Sequence, residues 1–200
     1  RIAAGRTISG KMSKDDPLRP AKNYQWNQRR MFENRFPKAL RSLNKLEFDY
    51  LDGEGIDFEP YRKFLSSEEA TDWLRSWTGN RSVSADNYRI FGQDGSGGLA
   101  AIWTARPDKP LLEQPIVFFG SEGELGVVAN CFGDYLWLLA QGVGPHEAIA
   151  YGAELARKCE VFDDFARRHA PDKERPAEEI LESAKHDFST FENDVRDLCG

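Results

Sequence analysis

Large apolar residues recur at helical spacing near the start of the chain, at Phe32, Phe36, Leu40 and Leu43. This predicts packing helices over about 24–46, interrupted at Pro37, a residue suited to a first helical turn. The pattern then becomes aromatic and acidic by turns in LEFDYLDGEGIDFEPY, which predicts a short hairpin or loop around the DGEG bend. SSEEATDWLRSWTGN carries full helix punctuation. Ser66 and Glu69 frame a capping box, Ala70, Trp73, Leu74 and Trp77 share one face, and Gly79 supplies a stop. Four strand-like runs follow at about 87–92, 99–105, 115–120 and 125–129, bounded by Gly, Pro or Asp, in the manner of a meander. Asn130 is positioned to cap a helix with Phe132, Tyr135, Leu136 and Leu139 turned to the sheet and a stop at Gly142. Pro145 opens a further, interrupted helical stretch to about Arg168. Pro176 opens a last helix whose stripe, Ile180, Ala184, Phe188, Phe191, Val195 and Leu198, runs to the end of the chain. Strands clustered between helices predict an α+β domain, with a central, mostly antiparallel sheet flanked by helices, rather than the regular alternation of a parallel α/β sheet.

Composition adds bounds to this picture. Two hundred residues with 40% hydrophobic content suffice for one core and not comfortably for two. No run approaches the roughly 18–20 apolar residues of a membrane span, and no signal-peptide pattern appears, so no membrane partner is expected. Cys131, Cys159 and Cys199 are far apart and form no C-x-x-C, which points away from a disulfide framework or zinc site and toward a reducing cytoplasm. The net charge of −6 conceals a division. Residues 1–46 hold 12 Lys plus Arg against Asp15, Asp16 and Glu33, a balance of +9, and residues 47–200 carry −15. The chain therefore divides into a basic arm, residues 1–42, partly disordered or helical, and an acidic body, residues 43–200. Such an arm can remain a mobile tail, fold back on an acidic body, or bind nucleic acid. NYQWNQRRMF interleaves aromatics with bases, as stacking on single strands requires. No groove-reading motif accompanies it, so a nucleic-acid partner is expected only through this arm, if at all.

Candidate chemistry is sparse. In FGQDGSGGLAAIW, Gly95, Gly97 and Ala100 spell G-x-G-x-x-A, but LAAIWTAR runs into Pro107 and is too short and strand-like to be the helix that a dinucleotide fingerprint requires. A phosphate-binding loop of the lysine type fails because Gly98 stands where the lysine is needed. A tight hairpin between YRIF and LAAIW is the better account, with DGSGG supplying positive φ angles, and no cofactor is expected. His146, His169 and His186 are each isolated in sequence, no nucleophile signature is present, and Cys131 precedes an apolar helix face. No catalytic residue is assigned, and the chain is read as non-enzymatic. Six acids, Glu47, Asp49, Asp52, Glu54, Asp57 and Glu59, crowd one segment without the register of a calcium loop, so no metal is expected. They form either a solvated surface or a negative patch. Interleaved Phe48, Tyr50, Phe58 and Tyr61 favour a protein interface. The candidate partner-binding residues are Asp52, Glu54, Asp57 and Glu59. Glu122 and Glu124 are a second choice, from GSEGELG, which also reads as a polar turn.

In order along the chain, GEGIDFEPYRKFL, EEATDWLRSWTGN, FGQDGSGGLAAIW, PIVFFGSEGELGVVA and FGDYLWLLAQGVGP resemble the SUKH superfamily, which includes Smi/Knr-type regulators of fungal cell walls and many bacterial immunity proteins. The resemblance covers about residues 43–200 and is densest over 53–145. It implies an α+β fold and a non-enzymatic role: an immunity protein that binds a cognate protein toxin, of the nuclease or deaminase class, and occludes its active site. A toxin that grips nucleic acid is usually cationic, which agrees with an acidic body. The alternative within the same resemblance is a regulatory or scaffolding domain that binds an endogenous protein.

Overall fold

Pro37 lies in extended backbone directly before helix α1, Lys38–Leu43, where its ring holds φ near the value a helix start needs. The computed structural model describes residues 35–50 and 55–200. The expected partial disorder of the basic arm up to residue 34, the helix expected from about 24 and the packing role of Phe32 lie outside the described residues, as do Asp52 and Glu54. One compact unit spans Phe36–Gly200, and Phe36, Leu40 and Leu43 are in its core.

The aromatic and acidic segment closes as a loop. Gly55 N–H donates to the Tyr50 carbonyl at 2.8 Å and Ile56 N–H to the Asp49 carbonyl at 3.0 Å. It then supplies β1, Glu59–Pro60, paired with Gln93 and Gly92. This fifth strand was not predicted; Pro60 cannot donate to a ladder and is tolerated because β1 is the edge. Helix α2, Ser67–Thr78, begins at the expected capping box and ends at Gly79 with φ 68°. The meander follows as β2 (Tyr88–Gln93), β3 (Leu99–Trp103), β4 (Ile116–Phe119) and β5 (Leu125–Ala129). The sheet order is β1-β2-β3-β4-β5, every pair antiparallel. The remaining helices are α3 (Phe132–Ala140), α4 (Pro145–Ala150), α5 (Glu160–His169), α6 (Ala177–Asp187) and α7 (Phe191–Arg196).

Both faces of the sheet are covered, which is why IVFF and LGVVA are apolar throughout instead of alternating. On one face Phe91, Ala100, Ile102, Ile116 and Phe118 meet Leu40, Tyr135, Leu139 and Phe162 from α1, α3 and α5. On the other Ile90, Leu99, Ala101, Val117 and Phe119 meet Leu74 of α2 and Phe191 and Val195 of α7. Trp103 is half-buried against Phe188 and Phe191.

Two expectations are corrected. Asn130 does not cap α3: Cys131 is the N-cap residue, without a side-chain cap. Asn130 Nδ2 donates instead to Ser183 Oγ and Asp187 Oδ2 of α6, each at 2.9 Å. The last helix is two, because Phe188 leaves helical geometry at φ −127° and ψ 42°. The apolar stripe serves both cores, with Ile180 in the first and Ala184, Phe191 and Val195 in the second, so that the change of core falls within α6, ahead of the break. Among the described residues no helix is long and apolar enough to cross a membrane.

Candidate functional site

The glycine hairpin between β2 and β3 is built around one carboxylate. Asp94 is 2% exposed. Its Oδ1 accepts the Ser96 N–H (2.9 Å), the Ser96 hydroxyl (2.9 Å) and the Gly98 N–H (2.7 Å). The Gly95 N–H donates to Asp57 Oδ1 at 2.8 Å. Backbone amides converging in a glycine-rich turn would suit a phosphate, but here protein carboxylates already occupy them. Gly97 supplies the positive φ, 92°. Gly98 is required for room: a Cβ there would lie 2.7 Å from Phe118 Cζ.

The same carboxylate reaches across the fold, with Asp94 Oδ2 3.2 Å from His146 Nδ1 in the first turn of α4. The imidazole is set edge-on between the rings of Phe118 and Tyr151. Next to it, Glu147 is buried and bidentate. Its Oε2 accepts the Gly144 N–H at 3.1 Å, and its Oε1 accepts the Asp57 N–H at 2.9 Å. Burial pushes the Glu147 carboxyl up, and the Asp57 N–H partly offsets this by stabilising the charge. Ser96 Oγ and Ser121 Oγ are 2.8 Å apart, which ties the hairpin to the β4–β5 turn. That turn closes through the Gly120 N–H to the Glu124 carbonyl (2.7 Å), with Glu122 N–H on Glu124 Oε2 (3.2 Å). Trp77 Nε1 of α2 holds it from below through the Gly120 carbonyl at 2.7 Å.

Four segments distant in sequence are thus pinned at one end of the sheet, and of the acids read from the sequence the described ones, Asp57, Glu59, Glu122 and Glu124, belong to these segments or adjoin them. Asp57 is half-buried and spends its carboxylate on Gly95. Glu59 is exposed on β1 and accepts from Gln93 Nε2 at 2.8 Å. Glu122 is exposed and Glu124 half-buried. The interleaved aromatics divide differently from expectation. Phe58 is buried and Phe48 half-buried, packed against Phe58 and Phe162, because the loop needs them to dock on the body. Tyr61 is half-buried, its hydroxyl donating to Gln93 Oε1. Tyr50 is exposed, at 55%.

Sequence reasoning missed Asp94, His146 and Glu147. Signals existed: Asp two residues before Ser is an Asx-turn pattern, and Glu147 three after Gly144, behind Pro145, is the frame of a cap. The spatial pairing had none, since His146 and Asp94 are 52 residues apart and Glu147 and Asp57 are 90.

An Asp–His pair is half of an acid–base relay. Among the described residues, however, no hydroxyl or thiol is bonded to His146, and Asp94 is committed to its own loop. Cys131 is half-buried, its thiol pushed up by burial and therefore a poor nucleophile at neutral pH. What the arrangement does best is hold several loops of a negative face in fixed register. No family model, curated protein or solved structure matches the chain.

Proposed function

We propose that this chain is a non-enzymatic immunity protein that binds a cognate cationic protein toxin, of the nuclease or deaminase class, and blocks its active site. The observation that carries the reading is the acidic face itself. Asp57, Asp94, Glu124 and Glu147 converge at one end of the sheet with their carboxylates accepting backbone amides, and Glu59 and Glu122 are exposed beside them. A rigid surface of one charge sign loses little conformational entropy on binding and steers an oppositely charged partner to contact. Further support comes from the −15 balance of residues 47–200, which extends the field beyond the face, and from the resemblance of the hairpin, turn and α3 motifs to SUKH proteins.

The test is association with the protein encoded beside this chain. Co-expression should protect the host from that neighbour's toxicity, and the pair should co-purify. Reversing exposed acids with Glu59→Lys and Glu122→Lys should slow association about tenfold or more at low salt and much less at high salt. Absence of both binding and protection would refute the immunity role. Unchanged association of the reversed variant at low salt would reduce the face to solvated surface.

A further inference from the structure

We infer that the free edge of β5 is a peptide-binding site: an extended segment of another protein, apolar at alternate positions, enters the cleft beside Leu125 and Val127 and adds a strand to the sheet. The site goes beyond the immunity reading and does not depend on it, because backbone groups define it and not the acidic face.

Strand β5 is last in the sheet order and pairs only with β4. Its phase is set at the turn, where the Gly120 N–H donates to the Glu124 carbonyl at 2.7 Å. The register continues with Phe119 opposite Leu125, Phe118 opposite Gly126 and Val117 opposite Val127. Hydrogen-bonded and non-hydrogen-bonded pairs alternate along an antiparallel ladder. Glu124 and Gly126 therefore turn their backbone groups to β4, and Leu125 and Val127 turn theirs away from it. Among the described residues no backbone carbonyl outside the ladder accepts from the Leu125 or Val127 N–H. An edge row of this kind is a template for a further strand.

That row opens into a cleft of about 520 Å³, within the size range of ligand sites. Residues 124–127 line one side, and Ile149 of α4, Leu181 and Phe188 of α6, and Ser189 line the others. Ile149, Leu181 and Phe188 are half-buried, so each leaves apolar surface for the side chains of an added strand, which point alternately to opposite faces. Toward Ala129 helix α6 packs on β5, and Asn130 ties it down through Ser183 and Asp187. The opening lies toward the other end of the strand, where residues from both sides of the Phe188 break form its wall.

Shape and backbone chemistry select the occupant. Leu125 is 4% and Val127 9% exposed, so the edge is recessed between its flanking helices. The β5 of a second copy is recessed in the same way, and two such edges cannot reach each other, whereas a single extended segment can enter. The rim sets Glu124 and Glu192 against Lys185 and Arg196, which balance. Net charge therefore draws neither a polyanion nor an anionic membrane to the cleft, and neither offers the alternating N–H and C=O groups that the edge is spaced to receive.

The experiment pans a phage library of random decapeptides on the purified full chain and measures binding of the enriched peptide, synthesised, to wild type, Val127→Pro and Ser189→Trp. Enriched sequences should be apolar at alternate positions. On binding, amide exchange should slow at Leu125 and Val127, while Gly126, already bonded to β4, changes little. Val127→Pro removes one outward donor without touching the ladder and should weaken binding about tenfold or more. Ser189→Trp fills the cleft from an exposed position, leaves β5 intact and should weaken binding likewise, which keeps the test decisive if Val127→Pro fails to fold. Absence of enrichment, enriched peptides that bind both variants as they bind wild type, or exchange at Leu125 and Val127 that the peptide leaves unchanged would each overturn the site. Dimerisation in sedimentation that Ser189→Trp abolishes would overturn a separate protein as the occupant. None of these outcomes bears on the immunity reading, which is tested with the protein encoded beside this chain.

Discussion

Replacing Asp94 by alanine tests whether the glycine hairpin is held by its carboxylate or by its glycines. The side chain is buried, and its Oδ1 is the acceptor for Ser96 N–H, Ser96 Oγ and Gly98 N–H. Alanine leaves both amides without their acceptor. Ser96 is exposed and can turn to water, but Gly98 is buried, so its N–H bears the full desolvation penalty. A hydrogen bond to a charged group contributes about 1.5–3 kcal/mol and an orphaned buried donor costs about 1–3 kcal/mol, so Asp94→Ala should lose about 3 kcal/mol once hydration of Ser96 is allowed for. In a body of this size that lowers Tm by about 6–12 °C. Asp94→Asn keeps an amide oxygen for both N–H groups and loses only the charge and the acceptor facing His146, so it should lose about 1 kcal/mol. Urea unfolding at constant m-value separates the two through their midpoints. Equal losses for Asn and Ala, or a loss below about 1 kcal/mol for Ala, would mean that strand pairing and glycine geometry alone set the turn.

Glu147 gives a pH-dependent check. Burial raises its folded carboxyl above the ordinary 4.5. Its stability contribution is therefore fully present below the ordinary value and lost as pH rises through the raised one. Melting curves between about pH 4 and pH 7 should show this decline in the wild type and a flatter profile in Glu147→Gln, which cannot titrate; identical slopes would show that Glu147 is not the group responsible. Glu147→Gln should also be less stable by about 1 kcal/mol at the acid end, because its amide NH₂ faces one of the two backbone donors. Trp77→Phe removes the bond from Nε1 to the Gly120 carbonyl while keeping an aromatic ring beside Phe119. The expected loss is about 1 kcal/mol, with faster amide exchange at Gly123 in the β4–β5 turn, and unchanged exchange there would show that α2 does not steady that turn.

Local signals carried most of the architecture into the sequence. The Ser66–Glu69 box and Gly79 bound α2 because capping chemistry is complete within a dozen residues. The β2–β3 hairpin was legible because DGSGG can hardly be anything but a return. Strand β1 was not legible: two residues carry no period, and Pro60 argues against a strand until one knows it lies at the edge. The break at Phe188 was hidden by its own success, since the apolar stripe keeps helical spacing through residues that are not helical. Asn130 illustrates competition: a good capping residue went to Ser183 and Asp187, partners more than fifty residues away. The candidate face was half legible for the same reason. Runs of acids can be counted along a chain, but which acids are neighbours depends on the meander bringing residue 57, the 94–98 hairpin, the 120–124 turn and the start of α4 to one end of the sheet.

That convergence divides the acids by task. Asp57, Asp94 and Glu147 each spend oxygens on backbone amides, and replacing any of them alters the loops as well as the charge. Glu122 and Glu59 are exposed and can meet a partner's bases directly. A carboxylate accepting hydrogen bonds is still a negative charge, and near a protein surface its field is screened over a Debye length of about 8 Å in physiological salt. The pinned acids thus add to the attraction felt by an approaching cation without having to touch it. The exposed ones supply contact, and their replacement leaves the pinned framework in place. Loss of binding on reversing Glu59 or Glu122 would accordingly report on recognition, whereas loss on replacing Asp94 or Asp57 would mix recognition with the collapse of the loops that present it.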